Sequence, residues 1–321
     1  DLTAIDQDLQ VQSIAHAVIR LEQLNPDYGT SRRRLIVPKY RGKAYRGGYH
    51  DYKIAYGGLQ VFPRLIAAEH VNPLPQIKLP SDIAELDELL GGGLEKGTST
   101  LFVGAPGTGK SSVAVQFAVA AARRGEYSAM FIFDESVNTL RSRAEGMGIA
   151  LGEYIDSGHI LVRQVDRAEL SPGEFIDAIR TVVNEQQAAV IVIDSLNGYL
   201  NAMPDERFLA VQLHELLTYL GQKGVATLLI GAQHGLVGMQ MQTPIDASYL
   251  ADAVVLLRYY EHAGEVLQAI SVLKKRGGAH ERSIRSFSLT SGGIKVGAPL
   301  RQFRGILTGI PVPLGGAQSD S

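Results

Sequence analysis

Cysteine is absent from this chain of 321 residues. Disulfides, thiolate nucleophiles and cysteine metal sites are excluded together, and a reducing compartment is the matching environment. Long apolar runs are missing too: none approaches the roughly 20 residues that a membrane-crossing helix needs. Residues 1–20 have no basic start followed by an apolar stretch, so no secretory leader is expected there and the cytoplasm is the expected location. Nor does charge of one sign dominate. With 31 basic and 33 acidic residues the net charge is −2, which makes the chain no general attractor for nucleic acid or anionic lipid. Neither residues 195–206 nor residues 233–251 contain a Lys or Arg.

Apolar residues make up 45% of the chain, enough for a sizeable core in one large or two smaller domains. The chain also repeats itself. Ile36-Val37-Pro38-Lys39-Tyr40-Arg41-Gly42 recurs 235 residues later as Ser271-Val272-Leu273-Lys274-Lys275-Arg276-Gly277, and Gly57-Gly58 recurs in the same register as Gly292-Gly293. Ala17-Val18-Ile19 matches Ala253-Val254-Val255 with one residue of slip. The expected organisation is the closing part of one unit (1–62) followed by all of a second (81–300). Between them residues 63–80 read as a linker, because Pro63, Pro73, Pro75 and Pro80 forbid regular helix. Residues 301–321, rich in Gly and Pro, are expected to be an extended or mobile tail.

Within the second unit, short runs rich in Val, Ile or Phe predict strands at 99–103, 129–133, 160–165, 189–193 and 226–230. Apolar spacing of three or four predicts helices at 109–124, 137–147, 172–185 and 206–223. The alternation implies an α/β fold, a mostly parallel central sheet with helices on both faces. Closely spaced strands at 254–259, 266–274 and 283–289 predict an antiparallel extension of it.

Gly104-Ala105-Pro106-Gly107-Thr108-Gly109-Lys110-Ser111 satisfies the phosphate-loop pattern between a strand and a helix. Glycines let successive amides point at phosphates, and the helix start adds its dipole. Lys110 is placed to neutralise the β- and γ-phosphates of ATP and the Ser111 hydroxyl to bind Mg2+, with Ser112 completing the nucleotide-binding set. Asp194, at the end of an apolar strand 83 residues beyond Ser111, is the second magnesium-directed group, unless it merely caps a helix. Asp134 and Glu135 end the strand after the loop's helix. Glu135 is a candidate base and Asp134 a tuning carboxylate; their bland alternative is to favour the first turn of the next helix.

Together with Glu85-Leu86-Asp87-Glu88-Leu89-Leu90-Gly91-Gly92-Gly93-Leu94-Glu95-Lys96-Gly97, Ile193-Asp194-Ser195-Leu196 and Phe303-Arg304-Gly305-Ile306-Leu307-Thr308-Gly309, the loop and Lys274-Lys275-Arg276-Gly277 make the chain resemble the KaiC family of RecA-like ATPases. The resemblance runs over essentially the whole length and implies a RecA-like P-loop NTPase core. It implies a homo-hexameric ring with ATP between subunits and Kai-type or other signalling partners. It assigns Glu135 as general base, with Asp134 standing where the family has a first glutamate. It also sends Lys274 and Arg276 to the γ-phosphate on the next subunit, and Lys39 and Arg41 likewise for the first unit. Two residues apart on a strand, each pair shares a face. Clock members phosphorylate adjacent Ser and Thr; here Ser248 keeps the serine and Tyr249 replaces the threonine, so serine/threonine autokinase activity at Ser248 is plausible and the role of Tyr249 stays open.

Two rivals come from other classes. Recombinases and ring helicases share this core, but the loops at 195–206 and 233–251 that would grip a strand carry no cation, so nucleic acid is not the expected partner. A scaffold held together by ATP, with incidental hydrolysis, is the other.

Overall fold

The computed structural model describes residues 12–25, 29–70, 75, 77–166, 168–201, 209–232, 249–308 and 312–313. Four antiparallel strands come first, β1 (Ala17–Leu24), β2 (Arg32–Tyr40), β3 (Tyr49–Ala55) and β4 (Gly58–Phe62), paired in that order. Then follow β5 (Lys78–Leu79), α1 (Ala84–Leu89), β6 (Leu94–Glu95), β7 (Ser99–Gly104), α2 (Lys110–Arg123), β8 (Ser128–Ile132), α3 (Val137–Gly146), α4 (Leu151–Asp156) and β9 (Ile160–Gln164). The remaining elements are α5 (Pro172–Glu185), β10 (Val190–Asp194), α6 (Leu196–Asn201), α7 (Leu209–Gln222), β11 (Ala226–Ala232), β12 (Ala253–His262), β13 (Glu265–Lys275), β14 (Arg285–Thr290), β15 (Gly293–Pro299), β16 (Phe303–Arg304) and β17 (Val312–Pro313).

The main sheet has nine strands in the order β15-β14-β13-β12-β7-β11-β10-β8-β9. From β12 through β9 every neighbouring pair is parallel, and β13, β14 and β15 add on in antiparallel fashion. Alternation along each strand divides the core in two. Val190 and Val192 of β10 enter one cluster, with Val113 and Phe117 of α2 and Leu140 of α3. Ile191 and Ile193 enter the other, with Phe175 of α5 and Leu216 of α7. The ends of the parallel strands at Gly104, Ile132 and Asp194 lie side by side, because β8 and β11 both pair with β10 and β11 pairs with β7.

Four features differ from the sequence-based reading or add to it. The strand expected at 254–259 as part of the antiparallel extension is β12, which pairs parallel to β7, so the antiparallel addition begins at β13. β15 was not expected, since Gly293, Gly297 and Pro299 weaken strand propensity; at the sheet edge they are tolerated. Among the described residues of 63–80 there is no α-helix, yet Ala67–His70 forms a 3-10 turn, β5 pairs with β6, and Leu65, Ala67 and Leu79 are buried. Of the tail expected to be extended or mobile, residues 303–308 are folded. Ile306 packs with Tyr260 and Ala269, and the Arg258 guanidinium donates to the Leu307 carbonyl at 2.5 Å.

Candidate active site

The phosphate loop leaves β7 at Gly104 and enters α2 at Lys110. Its glycines answer to space as much as to conformation. A Cβ on Gly104 would lie 2.1 Å from the Leu257 carbonyl oxygen, and one on Gly109, whose φ is +97°, would lie 2.8 Å from the Phe287 ring. Gly107 (φ +81°) sits under the Tyr259 hydroxyl, and its carbonyl accepts from the Gln268 amide at 3.3 Å. Strands β12, β13 and β14 therefore shape the loop from one side. Ala105 is buried beneath it, and the Thr108 hydroxyl donates to the Ala105 carbonyl at 2.8 Å, which tightens the turn; Pro106 and Gly107 form the exposed tip.

Lys110 is 7% exposed, and its ammonium donates to the Gly104 and Ala105 carbonyls at 2.9 and 2.7 Å. Burial lowers its pKa to about 8, and the Asp194 carboxylate opposes that shift. Asp194 is the last residue of β10 and is also buried. Burial raises its carboxyl, while a hydrogen bond from the Ser111 hydroxyl pulls the other way. The Asp194 Oδ2 atom is buried with no hydrogen-bond partner. A buried carboxylate oxygen left bare beside a hydroxyl is a costly arrangement that a hard cation relieves. Mg2+ fits these donors. Among the described residues no group of three or more His, Asp or Glu side chains is gathered to hold a metal ion.

Glu135 follows the end of β8, immediately before Ser136, whose hydroxyl caps α3 by accepting from the Thr139 amide at 3.1 Å. Its Oε1 is 2.5 Å from the Arg143 guanidinium, which also donates to the Ser112 hydroxyl at 3.3 Å. Asp134 engages elsewhere: its Oδ2 accepts from the Ser195 hydroxyl, which in turn accepts from the Gly198 amide at the start of α6. The two adjacent carboxylates thus have separate partners. Arg143 was not a sequence candidate, and nothing in its local pattern marks it.

Lys274 is the penultimate residue of β13 and Arg276 lies just past the end of that strand. Both hold the segment 249–252: Lys274 donates to the Ala251 carbonyl at 2.9 Å and Arg276 to the Tyr249 carbonyl at 2.8 Å. The first repeat does the same. Lys39 donates to the Gln12 and Ser13 carbonyls and Arg41 to the Ser13 carbonyl, at 2.8 to 2.9 Å. Tyr249 is 55% exposed, and Ser248 lies outside the described residues.

The family model for the KaiC ATPase matches residues 79–301. The chain belongs to the KaiC family. Its nine-stranded sheet, covered by helices on both faces, is accordingly the RecA-like α/β fold of that family. Among curated relatives, the circadian clock protein KaiC3 of Synechocystis sp. is 29% identical over 284 residues, 88% of this chain and 55% of that protein. The circadian clock oscillator protein KaiC of Synechococcus elongatus is 27% identical over 280 residues, 87% of this chain and 54% of that protein. The chain spans about half the length of the curated KaiC relatives it matches. No helix among its described residues is long and apolar enough to cross a membrane.

Proposed function

We propose that this KaiC-family chain binds ATP with magnesium at the phosphate loop and hydrolyses it as a ring-forming regulatory ATPase. The observation that carries the reading is the unpartnered, buried Asp194 Oδ2 beside Ser111, within the electrostatic reach of Lys110. When bound, Mg2+ supplies charge neutralisation at the β- and γ-phosphates. Lys110 and the loop amides hold the phosphates, while Ser111 and Asp194 hold the cation. Glu135 accepts a proton from water as the water oxygen bonds to the γ-phosphorus and the bridging P–O bond breaks, leaving ADP and phosphate.

Ring assembly rests on Lys274 and Arg276, two cations at the end of β13 that suit a γ-phosphate on the neighbouring subunit. Their grip on residues 249–252 joins that contact to the segment containing Tyr249 and following Ser248. Phosphotransfer to Ser248 is the autokinase reading. A regulatory role, with signalling proteins as partners, follows the relatives named as clock proteins. Residues 1–62 are read as the closing part of a preceding unit of the same kind.

Calorimetry with MgATP on the full chain tests the core of this. Parent protein should bind and Lys110→Ala should lose at least about tenfold in affinity; equal binding by the two rejects the site. Native mass spectrometry with and without MgATP reports the ring, and a monomer in both conditions rejects the trans role of Lys274 and Arg276. Labelled ATP should mark the parent chain and leave Ser248→Ala unmarked; equal label on both rejects Ser248 as acceptor.

A further inference from the structure

A general base works only if it is held in place, because a shift of about 1 Å costs on the order of a hundredfold in rate. Glu135 stands just past the end of β8, in the turn into α3, with its side chain 23% exposed. Arg143 supplies the fixing contact. It lies two turns along α3, three residues after buried Leu140 and one before buried Ala144, at the margin of the face turned to the core. Its two prongs reach different elements: one is 2.5 Å from Glu135 Oε1, the other 3.3 Å from the hydroxyl of Ser112, which is 1% exposed. Ser112 is in the first turn of α2, next to Ser111 and Lys110. A planar guanidinium spans two acceptors in a fixed fork, which a lysine cannot reproduce. Another arginine of the same helix shows the contrast: Arg141 pairs with exposed Asp156 and Glu145.

We infer that Arg143 is the positioning residue of Glu135, referencing the base to the helix that carries Lys110 and Ser111. One carboxylate oxygen is tied down. The other, Oε2, accepts no hydrogen bond among the described residues and is left to take the proton from water. The inference rests on the reading of Glu135 as base.

Steady-state hydrolysis by Arg143→Met, Arg143→Lys and Glu135→Gln, each in the full chain, tests it. In Arg143→Met, kcat should fall by at least about tenfold while KM for ATP moves less than about threefold, because the lost contact serves the reaction and not nucleotide binding. Arg143→Lys should recover part of the loss. Arg143→Met in a Glu135→Gln background should cost nothing further, since the two act as a unit. A readout independent of turnover is heat unfolding without nucleotide: the drop caused by Arg143→Met should shrink when Glu135 is already Ala. Failures separate. Parent-like turnover in Glu135→Gln sinks the base assignment and the role of Arg143 with it. Parent-like kcat in Arg143→Met beside an inactive Glu135→Gln sinks the role of Arg143 alone, as would an equal loss of kcat and nucleotide affinity with no coupling in the melts.

Discussion

Strands β1–β4 and β12–β15 run in the same order and carry the same irregularity, a slip in register just after Val18 in one sheet and just after Val254 in the other. Val18 pairs with Lys39 as Val254 pairs with Lys274, Leu21 with Leu35 as Leu257 with Ile270, and Tyr52 with Val61 as Phe287 with Val296. Their surroundings differ. Leu257 and Val255 are fully buried, whereas Leu21 is 52% and Ile19 is 62% exposed. β12 lies parallel to β7 and its apolar side chains join the core around α2, while β1 is an edge strand among the described residues. The N-terminal sheet is instead joined to the ATPase unit by polar contacts. Asp51 accepts from the Gly173 amide at 2.7 Å, Lys53 pairs with Glu174 at 2.6 Å, and the Thr30 amide donates to the Ala168 carbonyl at 3.1 Å. One local code builds both sheets; neighbours decide whether the apolar face becomes core.

The sharpest test exchanges matched residues. Leu257→Ala should cost about 2–5 kcal/mol in urea unfolding, because it opens a cavity in a closed core. Leu21→Ala, the counterpart, should stay within about 0.5 kcal/mol. Equal costs would erase the distinction.

A smaller effect is expected at the polar joint. Asp51 caps α5 from outside the helix: a Cβ on Gly173 would strike its carboxylate, so the two are in direct contact. Asp51→Ala should cost about 1 kcal/mol, as the loss of an N-terminal cap does. It should also speed proteolytic cutting within residues 63–80, while MgATP binding stays as in the parent. Unchanged cutting would mean that the joint does not depend on this contact.

The smallest effect concerns pH. Burial raises the Asp51 carboxyl above its ordinary 3.8, against the pull of its hydrogen bonds from Gly173 and Ser171. The folded chain therefore binds this proton more tightly than the unfolded chain does. Between the raised value and 3.8 the folded state carries the extra proton, so this group's cost to stability is relieved as pH falls through that window. Parent minus Asp51→Asn stability should accordingly rise on acidification from neutral pH; a flat difference would remove Asp51 from the account.

Much of the site was legible because its chemistry is contiguous. The run Gly104 to Ser111 specifies its own turn, and Asp194 is marked by the apolar strand it ends. The parallel strands were legible within a residue or two for the same reason. Arg143 was not, since a lone arginine on a surface helix looks the same whether it meets Asp156, as Arg141 does, or Glu135. The separate partners of Asp134 and Glu135 were equally hidden, because Ser195 is 61 residues from Asp134.

By itself the sequence determined the loop, the succession of five core strands and four longer helices, and the repeated segments near its two ends, all legible in local pattern within a few residues. Only the tertiary structure decided which apolar face is covered, which cation holds which carboxylate, and which strands crowd the glycines at 104, 107 and 109. Those depend on groups far apart in the chain meeting at atomic distance, where burial, charge and excluded volume act and local pattern carries no record of them.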